Sequence, residues 1–251
     1  MDTTQFLTQY LVSRRHTNSL KWDALEKKFG SADLTAMWVA DMEFKTCPAI
    51  TAALEERVAH GVYGYTLIPD SYYDAVIGWH KRRHGYTLKR EWFRFSSGVV
   101  NALYSLINAL TKPGDGVLIL TPVYYPFHYA INDTGRTLYT SDLVADESGR
   151  YSIDFTDAEA KLRSGRVRMF ILCNPHNPVS RVWSEDELTR LFALCNEYDV
   201  QIISDEIHQD IIPGSRPFTP ALRVANGKYQ DRIIVVNSAS KSFNLASLLH
   251  S

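Results

Sequence analysis

Short apolar runs separated by helix-patterned stretches constrain this chain most. The runs at residues 117–120, 167–173, 200–203 and 233–236 are rich in Val, Ile, Leu and Phe and nearly continuous in hydrophobicity. Such runs are expected of strands buried on both faces. A shorter run at 93–95 reads as one more strand. Between the runs lie helices with legible ends. Pro48 suits the first turn of a helix running to about His60, and Gly61 stops it. A second helix covers 70–84 and ends at Gly85. A third covers 101–110, before the turn Lys112-Pro113-Gly114-Asp115-Gly116. Ser184-Glu185-Asp186-Glu187 is a capping box that opens a helix reaching about Tyr198. Alternating strands and helices predict an α/β fold: a mostly parallel sheet sandwiched by helices, with right-handed connections.

Composition removes several function classes. At 251 residues the chain can form one large domain or two small ones. Hydrophobic residues make up 45% and charged residues 22%, ordinary for a folded soluble protein. The net charge of −1 gives no electrostatic footprint for nucleic acid or an anionic membrane. No apolar run reaches transmembrane length, and the first residues lack the pattern of a signal peptide. Cys47, Cys173 and Cys195 are odd in number and widely spaced. They read as reduced thiols of a cytoplasmic protein, not as a disulfide framework or a zinc site.

The residues just past each apolar run carry the chemistry. Run 93–95 leads into Ser96-Ser97-Gly98, and run 117–120 into Thr121-Pro122-Val123-Tyr124-Tyr125-Pro126. Run 167–173 leads into Asn174-Pro175-His176-Asn177-Pro178. Run 200–203 leads into Ser204-Asp205-Glu206-Ile207-His208, and run 233–236 into Asn237-Ser238-Ala239-Ser240-Lys241. The carboxyl ends of parallel strands share one edge, where α/β proteins bind ligands. Ser96-Ser97-Gly98 opens a helix, whose free amides suit a phosphate. Ser238 and Ser240 add hydroxyls. Tyr124 offers an aromatic face, and Asn177 a donor for a phenolic oxygen. Asp205 suits a protonated ring nitrogen, and Lys241 suits an aldehyde. One ligand uses all of these together: pyridoxal 5′-phosphate (PLP).

Taken singly, each residue has a plainer reading. A lysine after a strand is usually a solvated charge, and an aspartate there is usually a helix cap. Asn-Pro-His-Asn-Pro by itself is a turn. His80 and His84 stand four apart on a helix, but without the acid of a His-Glu-x-x-His metal motif. The joint order of the clusters outweighs any member.

That order resembles the class I/II aminotransferase family of fold-type I PLP-dependent enzymes. Trp38-Val39-Ala40-Asp41-Met42-Glu43-Phe44, Gly61-Val62-Tyr63-Gly64-Tyr65 and Ser240-Lys241-Ser242-Phe243-Asn244-Leu245 resemble its carbon–sulfur β-lyase, cystathionine β-lyase-like branch. The match spans about residues 20 to 251. The resemblance implies that Lys241 is the Schiff-base lysine and that Asp205 holds the pyridine nitrogen protonated. It implies that Asn177 and His208 face the phenolic oxygen and that Tyr124 stacks on the ring. Gly98, Val99 and Ser238 would surround the phosphate, and Val39 and Ala40 would line the substrate's carboxylate end. Tyr65 would reach the neighbouring subunit's site, which implies a homodimer. Residues 1–45 would be an N-terminal arm and part of a small domain, and 46–251 an incomplete PLP-binding large domain.

Two departures stand out. The family's Asn-Pro-x-Gly reads Asn177-Pro178-Val179-Ser180, and its Leu-Ala-Gly reads Leu245-Ala246-Ser247. Glycine serves where φ is positive or packing is tight, so serine is costlier there. The sequence also stops ten residues past Lys241, whereas family members continue well beyond, and the resemblance therefore implies a large domain given without its C-terminal small domain. The expected activity is β-elimination on cystathionine or related cysteine S-conjugates, giving pyruvate, ammonia and a thiol. Two alternatives are an aminotransferase on the same scaffold and a truncated, non-catalytic binding or regulatory protein.

Overall fold

The computed structural model describes residues 1–214 and 217–251. These fall into two compact units: Met1–Leu67 with Ala239–Leu249, and Ile68–Ser238 with His250–Ser251.

The second unit is built on a five-stranded sheet. In chain order the strands of this unit are β1 (Gly116–Thr121), β2 (Thr137–Asp142), β3 (Val144–Ala145), β4 (Tyr151–Ser152), β5 (Val167–Cys173), β6 (Gln201–Asp205) and β7 (Ile233–Val236). The sheet order is β2-β1-β5-β6-β7, with every neighbouring pair parallel, while β3 and β4 form a separate antiparallel pair. The α/β expectation therefore holds. Strand side chains alternate between two cores, as the two-residue period requires. Leu118, Leu120, Phe170, Leu172 and Ile202 face one side, against helices Phe155–Arg163 and Glu185–Glu197. Val117, Ile119, Met169, Ile171 and Ile203 face the other, against helices Val99–Leu110 and Pro126–Asp133.

Several helix ends lie where the sequence puts them. Helix Pro48–His60 stops at Gly61 (φ 72°) and helix Asp70–His84 at Gly85 (φ 70°), both left-handed caps that glycine adopts without a steric cost. The Ser184 capping box opens helix Glu185–Glu197. The run at 93–95 is not a strand. Residues Arg90–Trp92 form a 3-10 turn, and past the run Ser96 makes a reciprocal backbone pair with Ser251 (2.9 Å each way). Phe93 and Phe95 pack instead on Tyr72 and Tyr73. Without a ladder partner along its length, an apolar run has nothing to fix it as a strand.

The first unit opens with helix Thr3–Tyr10, capped at its amino end by a reciprocal Asp2–Gln5 capping box. Leu11 bridges Phe44, and the segments flanking that bridge exchange Val12 N–H to Glu43 and Lys45 N–H to Tyr10. Lys21 pairs with Glu43 (2.9 Å) and Arg14 with Asp41 (2.8 Å). The short helix Ala239–Ser242 belongs to this unit.

Candidate active site

Parallel pairing puts the ends of β1, β5, β6 and β7 on one edge. Cys173 lies opposite Asp205, and Asp205 opposite Val236. The ladder continues one step further, through Asn174 N–H to Asp205 O and Glu206 N–H to Val236 O (both 3.0 Å). Four of the five polar clusters therefore start from a common edge. Asp205 comes two residues after Ile203, so it shares the face covered by helix Val99–Leu110. That helix ends just before β1 begins, so its amino end points to the same edge.

At that end Gly98 is the N-cap, at φ 101° and ψ 149°, with no side chain capping the first turn. The leading amides are thus available to an anion. Ser97 Oγ accepts from Asn101 Nδ2 (2.9 Å), and Val99 is buried. Ser238 Oγ donates to the His250 carbonyl (2.6 Å). Asp205 is 4% exposed, and its Oδ1 accepts from Ile207 N–H (3.1 Å). Burial, with contributions from Tyr125 and then Asp205, raises the half-buried Tyr124 phenol. Burial first, and then the Asp205 charge, pushes the Cys173 thiol well up. Tyr124 and Cys173 both sense the same carboxylate, which groups the ends of β1, β5 and β6.

The loop after β5 is held from below. Asn174 is fully buried: it donates to Thr219 O (3.3 Å) and accepts from Trp183 N–H (3.2 Å). The His176 ring reaches Pro122 O (3.0 Å), and burial lowers its pKa to about 4. Asn177 N–H donates to Cys173 Sγ (3.4 Å). His176 and Arg181 close the loop across a backbone bridge, with Ser180 at φ 56°. An L-residue is strained there, whereas glycine is not. Ser247 is not among the positive-φ residues, so that departure carries no such cost. Ser180→Gly is expected to stabilise the folded chain by roughly 0.5–1 kcal/mol, net of the added freedom of the unfolded chain. A denaturation midpoint that falls in Ser180→Gly would contradict this.

In the first unit, Lys241 Nζ donates to Ala40 O (2.9 Å), which brings two of the sequence-derived residues together. Asn244 secures the same stretch: its Oδ1 accepts from Met42 N–H (3.0 Å), and its Nδ2 donates to the Met42 and Phe44 carbonyls. Val39 is half-buried, while Ala40 and Tyr65 are exposed. Tyr65 stands apart from Lys241 in sequence, in the coil after Gly61.

Sequence reasoning overlooked Glu206, beside Asp205. It is fully buried, and its Oε1 accepts from Ala221 N–H (2.8 Å) and Ser204 Oγ (3.1 Å). Burial raises its pKa to about 8 from 4.5. The two adjacent acids at the end of an apolar run were the available signal. The folded chain holds this proton more tightly than the unfolded one. Its contribution to stability is therefore full near pH 4.5 and below, and falls as pH rises from 4.5 through about 8. Glu206→Gln is expected to lose less stability than wild type between pH 5 and pH 8 in urea titrations. An unchanged difference between the two pH values would contradict a protonated Glu206.

Among the described residues, no group of three or more His, Cys, Asp or Glu side chains is arranged to hold a metal. No described helix is long and apolar enough to cross a membrane.

Comparison with known proteins agrees with this architecture. Over 235 residues the chain is 43% identical to cystathionine beta-lyase PatB of Bacillus subtilis, covering 94% of this chain and 60% of that protein. Crystal structures of the PLP-bound C-S lyase of Staphylococcus hominis (TM-score 0.87, 37% identity) and cystalysin of Treponema denticola (TM-score 0.89, 35% identity) are also similar. Each match covers 96% of this chain, and 60% and 61% of those chains, respectively. The chain thus spans about 60% of the length of the relatives it matches. The family profile of aminotransferase class I and II matches residues 33–248, most of the sequence, and the chain belongs to that family.

Proposed function

We propose that this chain provides the PLP-binding part of a carbon–sulfur β-lyase acting on cystathionine or related cysteine S-conjugates. The observation that carries the reading is the shared strand edge. There a buried carboxylate, a half-buried aromatic ring and an uncapped helix amino terminus gather on one face of the sheet. This donor set fits PLP. Open amides suit its phosphate, a flat side chain suits its ring, and a carboxylate kept from water suits its cationic nitrogen. The similarity to PatB, cystalysin and the S. hominis C-S lyase supports the lyase branch.

In this reading the Gly98 and Val99 amides and Ser238 take the phosphate. Tyr124 covers the ring, and Asn177 and His208 address the phenolic oxygen. When bound, PLP supplies an electron sink for the pair released at the substrate's Cα. Asp205 keeps a proton on the pyridine nitrogen, without which the sink is weak. Lys241 would hold the cofactor covalently until the substrate's own amine displaces it, and the freed Lys241 amine would then take the Cα proton as general base. Loss of that proton is followed by departure of the thiol from Cβ. Water completes the conversion to pyruvate and ammonia. Val39 and Ala40 lie at the substrate's carboxylate end. The exposed Tyr65 serves a second subunit in a homodimer. A cytoplasmic location is part of the same reading, supported by three unpaired cysteines.

The test is product analysis with cystathionine and PLP. Pyruvate and thiol formed without any keto-acid acceptor support a lyase. Product that appears only with an acceptor makes the chain an aminotransferase. PLP binding without turnover of either kind leaves a binding protein.

A further inference from the structure

One buried and one part-buried carboxylate brace the turn after β6, one on each side of His208. Glu206, two residues before it, accepts from Ala221 N–H. Asp210, two residues after it, accepts from Trp79 Nε1 at 3.1 and 3.3 Å and from His84 Nε2 at 2.8 Å. The His84 and Asp210 side chains are 6% and 10% exposed. Trp79 and His84 both come from helix Asp70–His84, and Arg223 Nη1 donates to the carbonyl of His84 (3.2 Å). Inside the turn, Gln209 N–H donates to Glu206 O (2.9 Å) and Ile211 N–H to His208 O (3.0 Å). Each acid ties its end of the five-residue turn to a different element of the unit.

We propose that Asp210, held by Trp79 and His84, is a positioning residue that fixes the turn carrying His208, just past Asp205. The role comes from leverage. Asp205 is set by the β6 ladder, but His208 lies three residues beyond it, outside the sheet. The tie at Glu206 holds the start of the turn, and the bonds of Asp210 to Trp79 and His84 hold its far end to helix Asp70–His84. A side chain must be held closely to serve a bound ligand. The proposal rests on the PLP reading for what the turn serves, but not for the bracing itself.

The experiment uses the full chain and two readouts. The first is amide hydrogen exchange at Gln209 and Ile211, measured without cofactor. The second is the dissociation constant for PLP, followed by absorbance. Asp210→Ala is expected to speed exchange at both amides by about tenfold or more and to weaken PLP binding by about tenfold or more. Asp210→Asn keeps an acceptor for Trp79 and is expected to restore both to within about threefold. Trp79→Phe keeps the ring but removes the donor, so it should give intermediate exchange even if Asp210→Ala does not fold. Leu162→Ala, in the core on helix Phe155–Arg163, is the control. It should lower overall stability without singling out this turn. Unchanged exchange at Gln209 and Ile211 in Asp210→Ala or Trp79→Phe overturns the proposal. So does a Leu162→Ala profile matching theirs. Failure of wild type to bind PLP sinks the functional reading instead, and the exchange data still decide the bracing.

Discussion

Lys241→Ala is expected to abolish covalent retention of PLP and to cut turnover of a cysteine S-conjugate by more than about 10³-fold. The amine is proposed to serve twice, as the covalent anchor and as the base at Cα, and alanine removes both roles. The side chain is half-buried, and its hydrogen bond to Ala40 O gives the ammonium a fixed partner on the chain. Asn244, three residues on, ties the helix end to residues 42 and 44 through its side-chain amide. The alanine variant keeps those bonds, so it should fold like wild type. The measurements are thiol release and the cofactor remaining after gel filtration. Turnover within tenfold of wild type would remove Lys241 from the chemistry.

Asp205→Ala is expected to lower kcat by about 10²–10⁴-fold, with a smaller effect on KM. The carboxylate is 4% exposed and lies at the end of a strand paired on both sides. It can therefore act on a cationic ring nitrogen with little competition from water. An interaction that gains strength as electrons flow into the ring acts mainly in the transition state, so kcat should carry the loss. Asp205→Glu should recover only part, because one added methylene displaces the charge within a packed edge. A KM increase with unchanged kcat would mean that Asp205 only assists binding.

The parts of the fold that were legible in the sequence are those set locally. Gly61 and Gly85 end their helices because the caps need φ near +70°. Ser184 and Glu187 satisfy one another's backbone amides within four residues. The strand at Val167–Cys173 announces itself because both of its faces are buried. The features that escaped depend on distant partners. Strand Thr137–Asp142 is a largely polar edge strand, exposed at both ends and mostly half-buried between them, and pairing with β1 makes it a strand. Residues 93–95 fail as a strand for the converse reason. Helix Phe155–Arg163 did carry a local sign, since Asp154 caps both Thr156 and Asp157.

The candidate site divides in the same way. Its clusters were legible because each comes directly after a strong apolar run, and parallel pairing brings the ends of four of those runs to one edge. The supports were not. Asp210 meets His84 across 126 positions, and Asn174 meets Thr219 across 45. No spacing rule links such pairs. The Ser180 departure was visible as a residue type, but its cost depends on the φ of 56° that loop closure imposes.

The most direct measurement is borohydride reduction of the PLP-loaded chain, with peptide mapping afterwards. The expected result is a yellow protein whose colour is lost on reduction, with the pyridoxyl group on the peptide containing Lys241. A chain that retains no PLP, or one labelled at a different lysine, would contradict the proposed site.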